Sequence, residues 1–197
     1  ELLRDFGSPC GASDERTTVA MAVPEPSYEI LHRADGFEVR RYGTVVVAET
    51  RFPSSDRRHS NEAFSTLAGF IFRRNRRRDG TATSQRIAMT APVNLDRRGN
   101  DWVLQFFLPP EFDEQTVPQP LDERVVVRSV PPRTVAVRRY RGRWTEELFR
   151  ERATQLSAAL ERSPWRACGE PILARYDPPW TPWFLRRNEV WIEVESR

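Results

Sequence analysis

The sequence predicts an α+β fold in which duplicated strand-strand-helix-strand-strand halves form a distorted, mainly antiparallel β-barrel flanked by two helices. Three observations carry this reading. Period-two alternation recurs along the chain, whereas only two segments carry an apolar stripe of helical period. The piece Phe37-Glu38-Val39-Arg40-Arg41-Tyr42 is echoed by Val135-Ala136-Val137-Arg138-Arg139-Tyr140, with the two tyrosines 98 positions apart (140 − 42). Strands outnumber helices in each half, which suits a closed sheet with helices packed outside or across its mouth.

Residues 1–26 mix Gly, Ser, Asp, Arg and Pro without a sustained period, and are expected to form an irregular N-terminal arm ahead of a single domain over 27–197. Within the arm, Val19-Ala20-Met21-Ala22-Val23 is a candidate edge strand. A strand from Ile30 to Arg33 precedes Phe37–Tyr42, and a strand from Val125 to Ser129 precedes Val135–Tyr140. The first helix is expected to follow Ser60 or Asn61, either of which can cap it by accepting a backbone N–H. Phe64, Leu67, Ala68 and Ile71 fall at i, i+3, i+4 and i+7 and face a sheet, while Phe72, one turn beyond Ala68, starts a second apolar flank beside Ser65 and Gly69. The helix runs out in the arginines between Arg73 and Arg78, with Asp79-Gly80 as the turn.

The second helix begins at Thr145. Glu146 and Glu147 occupy its first turn, where the helix dipole favours negative charge. Phe149, Ala153, Leu156 and Leu160 make its buried stripe, and Pro164 marks its end. Trp102, Leu104, Phe106 and Leu108 share one face of a strand, and Val190, Ile192 and Val194 share one face of the last.

A chain of 197 residues suits one full-sized core. All 31 cations are arginine, set against 28 acids for a net charge of +3. Codon-composition bias explains that uniformity most simply, but arginine also stays charged when partly buried and grips carboxylates through two parallel hydrogen bonds. No apolar run is long enough to span a bilayer. The chain opens at Glu1 rather than Met, which reads as a cut or a removed leader ahead of it. The protein is therefore expected to be soluble, and either cytoplasmic or processed and exported. Cys10 and Cys168 lie too far apart in sequence for a metal or redox spacing and read as free thiols. No nucleophile–base pair, phosphate loop, dinucleotide fingerprint or zinc spacing is present, so no catalytic residue and no metal ligand is assigned.

Several residues invite functional readings. The arginines between Arg73 and Arg78 suggest phosphate binding, yet the run is short and abundant acids dilute its field, so it reads as a solvated helix end with no nucleic-acid partner. Glu189, Trp191 and Glu193 share one face of the last strand. A desolvated carboxylate there would act as a base, but these side chains are expected to face solvent. His32 and His59, the only imidazoles, read as surface residues. Trp180 and Trp183 stand among Pro178, Pro179 and Pro182, in a stiff loop that displays indoles toward something flat or apolar.

Seven phrases then recur in fixed order: Tyr28-Glu29-Ile30, Glu38-Val39-Arg40-Arg41-Tyr42, Ala63-Phe64 with Leu67 and Ile71, Ile87-Ala88-Met89-Thr90-Ala91-Pro92-Val93, Phe107-Leu108-Pro109-Pro110-Glu111-Phe112, Tyr176-Asp177-Pro178-Pro179, and Arg186-Arg187-Asn188-Glu189-Val190-Trp191. Together they resemble the SOUL haem-binding protein family from about Tyr28 to Val194. The resemblance implies a distorted β-barrel flanked by two helices. It also implies a haem or other porphyrin held non-covalently against the first helix and the loop joining the last two strands, with propionates near basic side chains. By position, the helix surface becomes Ser65, Ala68, Phe72 and Arg73, and the loop runs from Asp177 to Arg187 with Trp180, Trp183 and Phe184.

Two departures shape the expected chemistry. Arg41 stands where some family members have a histidine thought to ligate iron, and Ser65 stands where another has a cation. The expectation is therefore a carrier, buffer or scavenger of tetrapyrroles without an obligatory protein axial ligand. Burying a porphyrin face of several hundred Å² contributes on the order of 10 kcal/mol, against an association cost of about 4–15 kcal/mol, which gives moderate affinity. The alternative is a small-molecule hydrolase or effector-binding domain, because the duplicated architecture also resembles the effector-binding domains of drug-sensing regulators and their hydrolase relatives.

Overall fold

The computed structural model describes residues 23–34, 36–53 and 57–197. Most of the expected arm, the greater part of its candidate edge strand, and Cys10 lie outside the described residues. The strands are β1 (Tyr28–Ala34), β2 (Phe37–Tyr42), β3 (Val45–Phe52), β4 (Asn75–Arg76), β5 (Val93–Arg98), β6 (Asp101–Phe107), β7 (Gln119–Pro120), β8 (Val126–Val130), β9 (Arg133–Arg141), β10 (Trp165–Ala167), β11 (Ile172–Arg175) and β12 (Arg187–Ser196). The helices are α1 (Arg57–Ile71) and α2 (Glu146–Glu161).

One antiparallel sheet runs β1-β2-β9-β12-β11-β5-β6-β3-β8, with β10 also paired to β12, while β4 and β7 form a separate two-stranded ribbon. Only Gly43 and Thr44 join β2 to β3, and only Pro131 and Pro132 join β8 to β9. In sheet order those strand pairs stand far apart, yet two linking residues reach only about 10 Å. The sheet must therefore curl strongly on itself, and it forms a half-barrel.

Outward from the central β11·β5 pair the order is β12, β9, β2 on one side and β6, β3, β8 on the other. The halves are thus β2-β3-α1-β5-β6 and β8-β9-α2-β11-β12, two strand-strand-helix-strand-strand units, with β1 added at an edge. The internal alignment differs from the one expected. The piece Phe37–Tyr42 is equivalent to β8, and its echo Val135–Tyr140 lies in β9, its antiparallel neighbour, with Glu38 opposite Val137 and Tyr42 opposite Arg133. β3 carries no alternation in the sequence because residues 46–50 are all buried, so both faces of that strand are covered.

The sheet has two packed faces. On one, Val46, Ala48, Leu95, Leu104, Phe106, Val190 and Ile192 meet Leu67, Phe70 and Ile71 of α1 and Leu156 and Leu160 of α2 in the main core. On the concave face, Tyr42, Val47, Phe107, Val135, Val137 and Trp191 form a second cluster. The stripes read from the sequence for α2, β6 and β12 therefore face the main core as expected. Thr145 caps α2 by accepting a hydrogen bond from the Leu148 amide at 3.2 Å. The start of α1 is a correction: the helix already includes Arg57, and Ser60 is a buried position inside it rather than its cap. Packing against the sheet overrides the capping preference of Ser and Asn.

Candidate functional site

α1 lies mainly over β3 and reaches β6, where the Phe64 ring meets Phe106 edge-on at 5.2 Å. Phe64, Ala68 and Phe72 follow at four-residue steps, so they form one row running toward the end of the helix. Ser65 is exposed, Ala68 is half-buried, and Phe72 is 51% exposed.

The structure takes Phe72 and Arg73 off the helix itself, because α1 ends at Ile71. The Phe72 amide still donates to Ala68 O at 2.9 Å, and the Arg74 amide donates to Gly69 O at 2.8 Å. The latter is the six-to-one bond of a Schellman cap, which places Arg73 at the left-handed position with φ 105°. Gly69 permits this closure: a Cβ there would come within 2.9 Å of the Arg74 side chain. The exposed Phe72 ring lies beneath the Arg86 guanidinium, 5.6 Å from the ring centre.

Residues 176–186 leave the sheet between β11 and β12 as a braced flap. The Tyr176 amide donates to Arg187 O at 3.3 Å, the Arg187 amide donates to Asp177 Oδ2 at 2.6 Å, and Arg186 donates to the carbonyls of Thr181 and Pro179. With its base closed, the flap holds Trp180 at 82%, Trp183 at 50% and Phe184 at 56% exposure. Trp183 meets Phe184 edge-on at 5.7 Å, and the Arg143 guanidinium lies 5.4 Å from the Trp183 ring centre.

Strand register places flap and α1 terminus at one end of the sheet. Arg175, the last residue of β11, is opposite Val93, which is opposite Phe106, and the segment entering β5 is tied to the end of α1 by the Ile87 amide donating to Ile71 O at 2.9 Å. Phe72, Arg73, Trp180, Trp183 and Phe184 thus belong to the same end of the molecule, with Ala68 one turn back from Phe72 and Ser65 about two. The flap leans toward the α2 side through the contact of Trp183 with Arg143.

On the concave face, the expectation that Glu189 and Trp191 meet solvent is overturned, for both are 0% exposed. Glu189 accepts hydrogen bonds from four residues: Arg40 Nη1 at 3.0 Å and Nη2 at 3.3 Å, Tyr176 OH at 2.7 Å, Trp191 Nε1 at 2.8 Å, and Arg187 Nε at 3.1 Å and Nη2 at 2.8 Å. Burial opposes its ionisation, but the charge of Arg40 and the Tyr176, Arg40 and Trp191 donors outweigh it and hold the carboxyl below the usual carboxylate range. Glu193 stays partly exposed and pairs with Arg133 at 3.2 Å.

A second buried acid, Glu49 on β3, accepts from Gln105 at 2.8 Å and pairs with Arg98 and Arg128 at 3.3 and 3.0 Å. The aromatic rings complete the filling. Tyr42 stacks on Trp191 at 5.0 Å, and Phe107 reaches Trp191 at 6.3 Å. No sequence signal separated Glu189 from an exposed strand carboxylate, because strand alternation supplies only Arg187 and Trp191, while Arg40 and Tyr176 are brought to it by tertiary structure. Two open depressions, of ≈ 450 and ≈ 420 Å³, flank this face. One is lined by Arg98, Arg128, Arg133 and Glu193 among others, and the other by Tyr28, Glu38, Arg40 and Arg187 among others. Neither includes Ser65, Ala68, Phe72, Arg73, Trp180, Trp183 or Phe184.

His59 sits in the first turn of α1 and His32 on the edge strand β1, with its ring 6.1 Å from Phe37. Among the described residues no group of three or more His, Cys, Asp or Glu is placed to hold a metal, and no helix is long and apolar enough to cross a membrane. Cys168 is an exposed free thiol.

These elements define a duplicated antiparallel half-barrel carrying two helices and an aromatic flap. The model of the SOUL heme-binding protein family matches residues 23–193, most of the chain, and the protein belongs to that family. Among solved structures, the C-terminal domain of EcmrR is similar with a TM-score of 0.62 at 13% identity, covering 86% of this chain and 99% of that one. A hydrolase from Listeria innocua gives a TM-score of 0.58 at 9% identity, covering 89% of this chain and 94% of that one. At such identities the likeness is one of fold. No curated protein sequence matches the chain.

Proposed function

We propose that the protein binds haem or a related tetrapyrrole non-covalently on the shelf formed by Ser65, Ala68, Phe72 and Arg73 and by Trp180, Trp183 and Phe184 of the flap, acting as a carrier, buffer or scavenger. Family membership supports the ligand class. The observation that carries the site is the exposure of Phe72, Trp180, Trp183 and Phe184 at one end of the sheet, where water meets large apolar rings that a flat macrocycle would cover. Arg73, with Arg86 beside Phe72 and Arg143 beside Trp183, supplies guanidinium groups for acidic substituents.

Iron ligation is not required for this mode. His59 is thirteen residues before Phe72, about 20 Å along the helix axis, and His32 belongs to the edge strand β1. The hydrolase or effector-binding alternative rests on likeness of fold. The carboxylate it would use, Glu189, is engaged by four residues of the protein and held ionised, which disfavours a role as a general base.

Titration of the purified protein with haemin, followed at the Soret band, tests the proposal. A saturable shift is expected, and the Phe72→Asp, Trp183→Ala double variant should lose it while keeping its melting temperature. No saturable shift, or unchanged affinity in a folded double variant, would overturn the site.

A further inference from the structure

On the helix-covered face, Tyr140, Asn188 and Arg175 stand in one row across β9, β12 and β11, followed by Val93 and Phe106. Phe106 carries Phe64 of α1, and α2 packs over β9 and β12, so Arg175 stands between the footprints of the two helices. Its guanidinium lies 5.7 Å from the Trp144 ring centre and makes no ion pair with any described carboxylate. Nearby Arg152 pairs with Glu151 at 3.5 Å and bonds Gln155 through Nη1 at 2.9 Å, but donor atoms around Arg175 are left over. Tyr140 OH, Trp144 Nε1 and Arg152 Nε are all buried without a hydrogen-bond partner.

Such a cluster is unusual on physical grounds. Buried donors are nearly always satisfied, and a desolvated guanidinium is normally matched by an acid. Elsewhere in this molecule Arg40, Arg98, Arg128, Arg133 and Arg187 each have a carboxylate, and the half-buried Arg138 and Arg186 donate to backbone carbonyls. Arg175 has an aromatic ring and a phenol. Burial pushes its guanidinium below the usual arginine value, and the neighbouring Tyr140 only partly offsets this. Arg152 and Arg175 both act electrostatically on Tyr140, so the phenol lies within the field of both.

We propose that Arg175, Tyr140 and Trp144 form a carboxylate-binding site between the two helices, at the root of the flap. A carboxylate has the two oxygens needed to accept from a guanidinium and a phenol together, and its charge supplies what the cluster lacks. Arg175 immediately precedes the flap, so the site adjoins the proposed tetrapyrrole shelf and would take an acidic arm of a ligand lying there. The site itself does not depend on that ligand.

The test uses the full chain without tetrapyrrole. Benzoate should raise its melting temperature by a few degrees, while benzamide, the neutral counterpart, should not. Arg175→Met should abolish the benzoate response and melt higher than the parent when ligand-free, because an uncompensated charge has gone. Tyr140→Phe, which keeps the ring in the core, should weaken benzoate binding about tenfold. Equal effects of benzoate and benzamide, no effect of either, or a benzoate response that survives in both variants would overturn the site.

Protoporphyrin and its dimethyl ester separate this result from the shelf. Preference for the free diacid should vanish in Arg175→Met. Binding of both forms with no benzoate response would leave the shelf standing and remove the carboxylate site. A benzoate response without porphyrin binding would do the reverse.

Discussion

Arg40 on β2 and Glu189 on β12 are joined by two parallel hydrogen bonds, at 3.0 and 3.3 Å, across the intervening strand β9, and neither side chain reaches solvent appreciably. The pair ties β2 of the first half to β12 of the second. Arg40 also reaches Glu38 and Tyr42, while Glu189 gathers Tyr176, Trp191 and Arg187, so the network spans both halves of the repeat.

Removing the charge at its centre should be costly. Glu189→Gln removes the anion that Arg40 and Arg187 share, and although Glu38 and Glu25 still face them, the expected loss is about 3 kcal/mol of unfolding free energy, because breaking a buried pair is costly. Urea denaturation measures it. A loss below about 1 kcal/mol would mean that water or rearranged neighbours replace the carboxylate.

Acid should unfold the protein through the same groups. Burial opposes ionisation of Glu189 and Glu49, but Arg40 and the donors at the former, and Gln105, Arg98 and Arg128 at the latter, hold both below the ordinary carboxylate value. A carboxyl whose folded value is depressed contributes stability that is present above its unfolded value, near 4.3, and is lost as pH falls through the folded value. Melting temperature should therefore fall below about pH 4, and less steeply in Glu49→Gln than in the parent. Burial raises Asp96, whose contribution has the opposite sign, so Asp96→Asn should steepen the same acid limb.

The Schellman position offers a separation of stability from binding. Arg73 holds φ 105°, where a side chain costs roughly 1–2 kcal/mol and glycine costs little. Arg73→Gly should raise the urea midpoint by an amount equivalent to about 1 kcal/mol without changing the slope, while weakening tetrapyrrole binding. Higher stability with unchanged affinity would remove Arg73 from the shelf.

Iron should contribute little to affinity. Haemin, zinc protoporphyrin and metal-free protoporphyrin are expected to bind within about tenfold of one another, because burial of the ring face supplies the driving force. Fluorescence quenching of the flap tryptophans measures all three. A haemin affinity several hundredfold above the metal-free ring would reveal an axial ligand.

Much of this was legible in the residues themselves. Alternation in β6 and β12 and the stripe of α2 named their core faces correctly, and the prolines around Trp180 and Trp183 marked a loop that displays indoles. Local patterns suffice there because each reports on one element and one face. The β3 strand was illegible because a run buried on both sides carries no alternation, and the end of α1 because a non-glycine residue occupies its left-handed cap.

The sequence by itself determined the α+β class, the repeat of strand-strand-helix-strand-strand units, and the family phrases. Tertiary structure alone decided that Glu189 is a buried anion and that Arg175 is a cation without an acid. Periodicity tells which side chains share a face, but not what covers that face. The cover comes from strands and helices distant in sequence, brought together when the sheet curls.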